Sequence, residues 1–411
     1  MSTLAPGYGH MTAASVSVAR TIEEVEALRE FWQANAWHPR MSLEVYLEAH
    51  RAPLSVSLPY VVMVSRNAKL EGILAGRLED ARLDVKLGYF SCWKAKLRAI
   101  SVPNAGVLGD FSVENAQAAC CYLLGALQQR QVEAVFFEWL PVESNLFKAV
   151  RSSAKVWWQN AALQLNQHWR IRLPPDAAEL WGQSHHRRAW VRRIFKKIEA
   201  DHPAKVNYRF FSDSAEVDTM CRDAEQVAAK SYQRTLGVGF VCDDSSCQRL
   251  LHYAKLGILR GCILYVDGVP KAFWIGSVFK GRFFSAYLGH DPGFQKYEPG
   301  SLVFIKMLEK LCAEGAHQVD LGQGEGFYKQ RFANHCDMEA CLYVLSPSLR
   351  SLMLNAGFSA GEALAIGAKK ALSALNVLQS LKTKWRRRLL RKTANVDLKN
   401  NRSSEGGKGI V

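Results

Sequence analysis

Residues 262–332 read CILYVDGVPKAFWIGSVFKGRFFSAYLGHDPGFQKYEPGSLVFIKMLEKLCAEGAHQVDLGQGEGFYKQRF, and this stretch decides the fold. Three β-rich runs open it, at 262–266, 270–280 and 282–288. Asp267-Gly268 separates the first two and Lys280-Gly281 the second and third. Asp-Gly between such runs marks a hairpin, because a type I′ turn needs φ > 0 at both central residues. His290-Asp291-Pro292-Gly293 breaks the meander, and Glu298-Pro299-Gly300-Ser301 opens an apolar helix over 302–312 that Gly315 stops. Val319-Asp320-Leu321 reads as a short buried strand running into Gly322-Gln323-Gly324-Glu325-Gly326. The order is therefore an antiparallel meander, a glycine turn, a helix, and a strand with a glycine-rich exit.

The pattern Tyr287…Asp291…Pro299-Gly300-Ser301…Asp320-x-Gly322-x-Gly324-x₃-Tyr328-Lys329 resembles the CelD/BcsL-type acyltransferases. These are GNAT-superfamily proteins of bacterial cellulose and exopolysaccharide synthesis, related to the FemABX peptidyltransferases. The resemblance is strongest over 180–345. It implies an acyl-CoA site in which the last meander strand and the strand after the helix splay apart, with the acyl-pantetheine arm in the gap. It also implies a pyrophosphate held at the helix N-terminus, where unpaired N–H groups and the dipole attract anions. One departure stands out: no Arg/Gln-x-x-Gly-x-Gly/Ala phosphate loop precedes the helix, so the cofactor would rest on a shorter turn with one glycine, Gly300.

A chain of 411 residues, 48% hydrophobic and 10% aromatic, has room for two or more cored domains. Its formal charge of +15 is concentrated. Residues 382–411 hold ten Lys/Arg against two acids, and residues 182–197 hold six with none. The remainder is close to neutral, which excludes a uniformly basic nucleic-acid coat, so no nucleic-acid partner is favoured. The cysteines form no C-x₂-C pair, and several sit in apolar runs, as in a reducing compartment. Cys242-x₄-Cys247 with His335-Cys336-x₄-Cys341 has the wrong spacing for common zinc knuckles, so no metal is expected. No signal peptide and no membrane span is expected.

Along the chain, Thr21-Ile22-Glu23-Glu24 has the form of a capping box. Strands are expected at 16–20, 60–65, 70–77 and 132–140, with a helix over 113–130. This strand pair, glycine turn, apolar helix and strand repeat the order of the 262–332 stretch. The repeat predicts an α+β protein of tandem GNAT-like lobes, with mixed central sheets flanked by helices and a helical C-terminal extension. The expected parts are a disordered N-terminus at 1–14, a degenerate lobe at 15–173, an acyltransferase lobe at 174–347, a basic amphipathic helical extension at 348–392, and a disordered tail at 393–411. The strand at 168–173 is expected to close the first lobe and that at 338–345 the second. A basic helix is expected over 184–200, and a further helix over 217–236.

The residues bearing chemistry are few. Asp320 ends a buried strand, where desolvation would raise its pKa and make it a base; alternatively it caps the following turn. Tyr328 is the acid for a leaving CoA thiolate, with Tyr287 as rival. Gly300, Ser301 and Leu302 are the pyrophosphate candidates. Gly322 and Gly324 permit close backbone approach to a ligand. Lys329 would bind a cofactor phosphate or pair with Asp320. The expectation is an acetyl-CoA-dependent N- or O-acyltransferase working by direct attack on the thioester. The acceptor that the resemblance implies is a sugar, a sugar-nucleotide or another exopolysaccharide or cell-envelope precursor. The chain is expected in the cytoplasm, with peripheral contact at the inner membrane through the basic, Trp385- and Leu389-bearing segment 382–392. The alternatives are a FemABX-like transferase using aminoacyl-tRNA and a non-catalytic accessory protein of a polysaccharide synthase.

Overall fold

The computed structural model describes residues 14–51, 57–87, 90–153, 163–182, 184–231, 234, 239–324 and 326–374. The ends expected to be disordered, the 382–392 basic cluster and the last part of the expected helical extension therefore lie outside the described residues.

The strands are β1 Ser15–Ala19, β2 Leu58–Arg66, β3 Lys69–Leu87, β4 Phe90–Pro103, β5 Val107–Gly109, β6 Ala134–Pro141, β7 Gln164–Arg172, β8 Val206–Phe211, β9 Leu259–Val266, β10 Val269–Phe279, β11 Arg282–His290, β12 Gln318–Gln323 and β13 His335–Leu345. The helices are α1 Ile22–Glu26, α2 Arg29–Asn35, α3 Leu43–Arg51, α4 Val113–Gln128, α5 Asn145–Ser153, α6 Glu179–Gly182, α7 His185–Asp201, α8 Val217–Ala228, α9 Asp244–Lys255, α10 Pro299–Ala313, α11 Phe327–Phe332 and α12 Leu349–Ala374. The chain divides into two units, one of residues 1–167 with 337–370 and the other of residues 168–336 with 371–411.

The first unit is a sheet in the order β1-β2-β3-β4-β6-β13. The Thr21/Glu24 capping box forms at the start of α1. Asn67 and Ala68 both take positive φ, 50° and 60°, so the β2–β3 hairpin closes through a tight turn. β3 runs ten residues beyond the expected 70–77 strand, to Leu87, and pairs with β4 from Arg77 to Leu87. Ala81 and Leu83 pack inward while Asp80 and Arg82 face water, and the Lys96–Asp80 pair at 2.8 Å bridges the two strands. β4 then crosses over through α4 to the parallel strand β6. Leu74, Ile100, Val135 and Phe137 pack with Cys120, Leu123 and Leu127 of α4 on one face. On the other face Leu354 and Phe358 of α12 pack on Leu83, Leu97, Ala134 and Leu345.

The second unit is a sheet in the order β7-β12-β11-β10-β9-β8. The two hairpins form as read. Asp267 and Gly268 have φ of 54° and 75°, and Lys280 and Gly281 have 48° and 73°. One face carries α7 and α10, with Trp274, Phe283, Val319 and Leu321 packed on Ile198, Phe304 and Leu308. The other face carries α8 and α9, with Phe273 and Ile275 packed on Met220, Ala224 and Leu250. α8 ends at Ala228, earlier than the expected 236.

The lobe boundaries at 173/174 and 347 need correction. β7, expected to close the first lobe, pairs with β12 (Val319↔Ile171, Asp320↔Arg170) and sends Ile171 and Leu173 into the second unit's core. β13, expected to close the second lobe, pairs with β6 (Leu342↔Phe137, Val344↔Val135) and sends Ala340, Leu342 and Val344 into the first unit's core. Each unit is closed by a strand that sequence order had given to the other. Nearest-neighbour pairing is a tendency, and here buried area on the apolar face of each strand overrides it.

Candidate active site

The site begins where two parallel strands part. β11 pairs with β12 only over Arg282↔Gln318, Phe283↔Val319 and Phe284↔Asp320, although β11 continues to His290. Past Phe284, the β11 backbone groups that point away from β10 face no paired strand among the described residues. The register with β10 also slips, since Ile275 faces Tyr287 while Gly276 faces Ser285, and Ala286 is bulged. Gly276 makes this approach possible, because a Cβ there would overlap the Phe284 carbonyl oxygen and the Phe283 ring. Trp274 Nε1–H donates to Ser285 Oγ at 2.8 Å and fixes the near side of the bulge. The matching strands of the first unit do not part in this way: β4 and β6 stay paired from Ala99↔Ala134 to Pro103↔Glu138.

Asp320 stands at the foot of the gap. Val319 and Leu321 point into the α7/α10 core, so Asp320 points to the opposite face, as do His168 and Arg170 on either side of Trp169. Asp320 and His168 are both buried, at 8% and 5% exposure. His168 Nε2 lies 2.6 Å from Asp320 Oδ1, which also accepts the Gly322 N–H at 2.8 Å. Arg170 Nε lies 3.5 Å from Oδ2. Arg170 Nη2 is 3.1 Å from His168 Nδ1. A guanidinium only donates, so Nδ1 accepts and the ring proton sits on Nε2, aimed at Asp320. Burial pushes the Asp320 carboxyl up, but His168, Arg170 and the Gly322 N–H outweigh it and hold the pKa below the ordinary value. This corrects the expectation of a raised pKa. The reason is that the compensating groups come from β7, about 150 positions earlier in the chain, where sequence reading had found only a closing strand.

Lys329 is likewise buried, at 7% exposure. Its ammonium donates to Gly322 O at 3.1 Å and Gln323 O at 2.6 Å, stapling α11 to the glycine exit. Burial lowers its pKa, opposed by the Asp320 charge. Its first partners are thus carbonyls, where a phosphate or the Asp320 carboxylate had been expected. Gly322 and Gly324 both take positive φ, 73° and 88°, in open space.

The two tyrosines lie on different faces of the sheet. Tyr287 packs with the α8/α9 face, its ring 4.9 Å from Phe240, and its hydroxyl accepts from Arg249. Tyr328 packs with the α7/α10 face, its ring 6.1 Å from Phe304. Asp320 therefore shares its face with Tyr287 and not with Tyr328.

At the start of α10, Glu298 takes a left-handed φ of 52° and its carbonyl accepts both Ser301 N–H (2.9 Å) and Leu302 N–H (3.2 Å). Pro299 has no N–H. Of the three candidates, Leu302 is the clearest correction: its N–H is engaged and its side chain is fully buried in the core. A Cβ at Gly300 would sit 3.6 Å from the His290 ring, an ordinary contact. The Glu298 carboxylate accepts from Trp190 Nε1 at 3.2 Å and Arg331 Nη1 at 2.9 Å, and the Arg331 guanidinium stacks 3.6 Å over Trp190. The basic helix α7 thus docks through Trp190, Ile194 and Ile198, while its Arg187, Arg188, Arg192, Arg193, Lys196 and Lys197 remain exposed.

Residues 185–330 match the Acetyltransferase (GNAT) domain family. Among solved structures, the chain is similar to the crystal structure of FemX (TM-score 0.52, 11% identity, 83% of this chain and 100% of that one). It is also similar to a tandem GNAT protein from the clavulanic acid biosynthesis pathway (TM-score 0.45, 10% identity, 82% and 99%). A third is L-PGS from Bacillus licheniformis (TM-score 0.43, 11% identity, 83% and 96%). No curated protein matches the chain. The likeness to FemX speaks to the fold alone. Residues 185–330 thus match a GNAT-type acetyltransferase domain, the mark of an enzyme, in an α+β fold of mixed sheets flanked by helices. No helix among the described residues is long and apolar enough to cross a membrane.

Proposed function

We propose that the second unit transfers an acyl group, most simply acetyl, from coenzyme A to an amine or hydroxyl of a sugar, a sugar-nucleotide or another cell-envelope or exopolysaccharide precursor. The observation that carries this reading is the parting of β11 and β12 after Phe284↔Asp320, beside the bulge at Ala286 and the open glycine exit. When bound, acyl-CoA supplies an activated thioester carbonyl.

The chain's own residues supply the rest. Unpaired β11 N–H groups past Phe284 are suited to hydrogen-bond the pantetheine arm and the carbonyl oxygen. The Gly300 N–H and Ser301 hydroxyl, at the positive end of the α10 dipole, suit a pyrophosphate. Asp320, held ionised, orients His168 and the Gly322 turn at the acceptor side, and the acceptor proton leaves to water. Tyr287 is the better acid for the departing thiolate, since its hydroxyl accepts from Arg249 and keeps its own proton to give. Lys329 holds the exit loop in shape. The sugar-type acceptor rests on the sequence resemblance in 180–345.

Calorimetry of acetyl-CoA binding to the full chain tests this reading, with Gly300→Asp and Asp320→Asn alongside. Binding lost in Gly300→Asp and kept in Asp320→Asn is the expected result. A folded parent that binds no acyl-CoA overturns it. The exposed basic face of α7 supports a second reading, an aminoacyl-tRNA donor, which predicts salt-sensitive tRNA binding in place of acyl-CoA binding.

A further inference from the structure

Away from the gap, three cysteines converge. Cys221 lies on α8, Cys242 in the segment leading into α9, and Cys247 in the first turns of α9. Their sulfurs all lie within 4.8 Å of one another, and Cys242 Sγ is 3.5 Å from Cys247 Sγ. Sequence spacing had weighed Cys242 and Cys247 only with His335, Cys336 and Cys341 and expected no metal, whereas here the third sulfur comes from α8.

We propose that Cys221, Cys242 and Cys247 form a binding site for a soft, thiophilic cation. An ion about 2.3 Å from each of three sulfurs sets those sulfurs about 4 Å apart, inside the range this cluster already spans. A disulfide, by contrast, needs sulfurs at about 2 Å and would leave the third thiol unused. Three sulfurs, with no fourth ligand among the described residues, favour ions that accept trigonal thiolate coordination. Access is built in: Cys221 is buried, while Cys242 and Cys247 are each half-buried and give an ion a path from water.

The surroundings suit a cation. Burial first, then the neighbouring thiols, and last the Asp218 and Glu225 carboxylates near Cys221 and Cys242 respectively, push the thiols toward their neutral forms when no cation is present. Glu225 also accepts the Cys242 N–H at 2.9 Å and pairs with Arg234, which donates to Phe240 O at 2.8 Å, so the loop carrying Cys242 is already drawn onto α8. Binding replaces three thiol protons by one ion and releases them to solvent.

The consequence reaches the β11 strand. Phe240, two residues before Cys242, packs edge-on against Tyr287, and Arg249, two residues after Cys247, donates to the Tyr287 hydroxyl. An ion in this cluster locks the segment and α9 to α8, and thereby fixes both contacts to Tyr287. The site is a clamp on the element that positions Tyr287, and it stands whether or not Tyr287 is the acid.

The test is titration of reduced full-length protein with Cd(II), read as thiolate-to-metal charge transfer in the ultraviolet, in a background with the exposed Cys121 and Cys336 changed to Ala. The expected result is saturation at one equivalent. Cys242→Ala and Cys247→Ala, both at half-buried positions, should each weaken binding by more than about a hundredfold, the upper end typical of losing a mere outer-shell partner. Cd(II) should raise the melting temperature of the parent and not of Cys247→Ala, since the ion binds only the folded cluster. A band that fails to saturate, or that survives both substitutions, overturns the proposal. So does a Cys242–Cys247 disulfide in the isolated protein that returns, in preference to the ion, after reduction and addition of Cd(II).

Discussion

Asp320 shows how a residue's neighbours decide its chemistry. At the end of an apolar strand it reads as a desolvated base, yet a histidine, an arginine and a backbone N–H converge on it. Its pKa lies below the ordinary 3.8, so the folded state holds the ionised form more tightly than the unfolded chain does. A depressed carboxylate contributes stability that is full above the unfolded value and lost as the pH falls through the folded one. The gap in unfolding free energy between the parent and Asp320→Asn should therefore be flat from about pH 8 to pH 5 and shrink only in more acid solution. Asp320→Ala, which strands Arg170 beside a buried imidazole, should cost about 3 kcal/mol in denaturant unfolding at neutral pH. If instead the gap closes already near neutral pH, Asp320 titrates as a base would and its orienting role is wrong. His168 and Arg170 carried no signal of their own in the sequence. A strand with polar residues at alternate positions reads as half-exposed, and only the pairing of β7 with β12 buries that face.

At the scale of elements, the gap is made by glycines with different duties. Gly276 lies where β10 presses against the β11 bulge, and a Cβ there meets backbone and a packed ring. Gly322 has nothing within 4 Å of a Cβ and needs glycine only for its φ of 73°. Gly276→Ala should then be the costlier change, roughly 1–3 kcal/mol from overpacking and a shifted bulge. Gly322→Ala should cost about 1–2 kcal/mol from backbone strain alone. Chemical denaturation ranks them, and equal costs would mean that the bulge yields to a methyl group. The turns at Asp267-Gly268 and Lys280-Gly281 were legible because a positive φ is a local demand met by local residues. The parting of β11 from β12 was legible only through the family pattern, since nothing in 282–290 says where pairing stops. Gly276 escaped notice for the same reason, because its demand comes from a neighbouring strand.

The two units repeat one plan, a meander, a helical crossover and a parallel strand, but only the second opens a gap. In the first, β4 and β6 remain paired up to Pro103↔Glu138. That difference fits a scaffolding role for the first unit. The exchanged closing strands govern how the chain can be cut. A fragment of residues 174–347, the lobe that sequence order suggests, lacks β7 and so leaves Gln318–Asp320 without their antiparallel partner. It also lacks Ile171 and Leu173 from the core, and it strips Asp320 of both His168 and Arg170. At the same time it keeps β13, whose Ala340, Leu342 and Val344 belong in the other unit's core, as an exposed apolar strand. The fragment 168–336 restores β7 and removes most of β13. By circular dichroism and gel filtration, 168–336 should be the better folded and less aggregated of the two. A 174–347 fragment that is monomeric and melts cooperatively would mean that β7 contributes little and that the units are closed as sequence order suggests. The family match at 185–330 stops short of both strands, so a boundary drawn from it alone would make the same cut. Strand exchange is invisible to any reading that assigns each strand to the nearest helix in sequence, because the pairing energy depends on which apolar face meets which core.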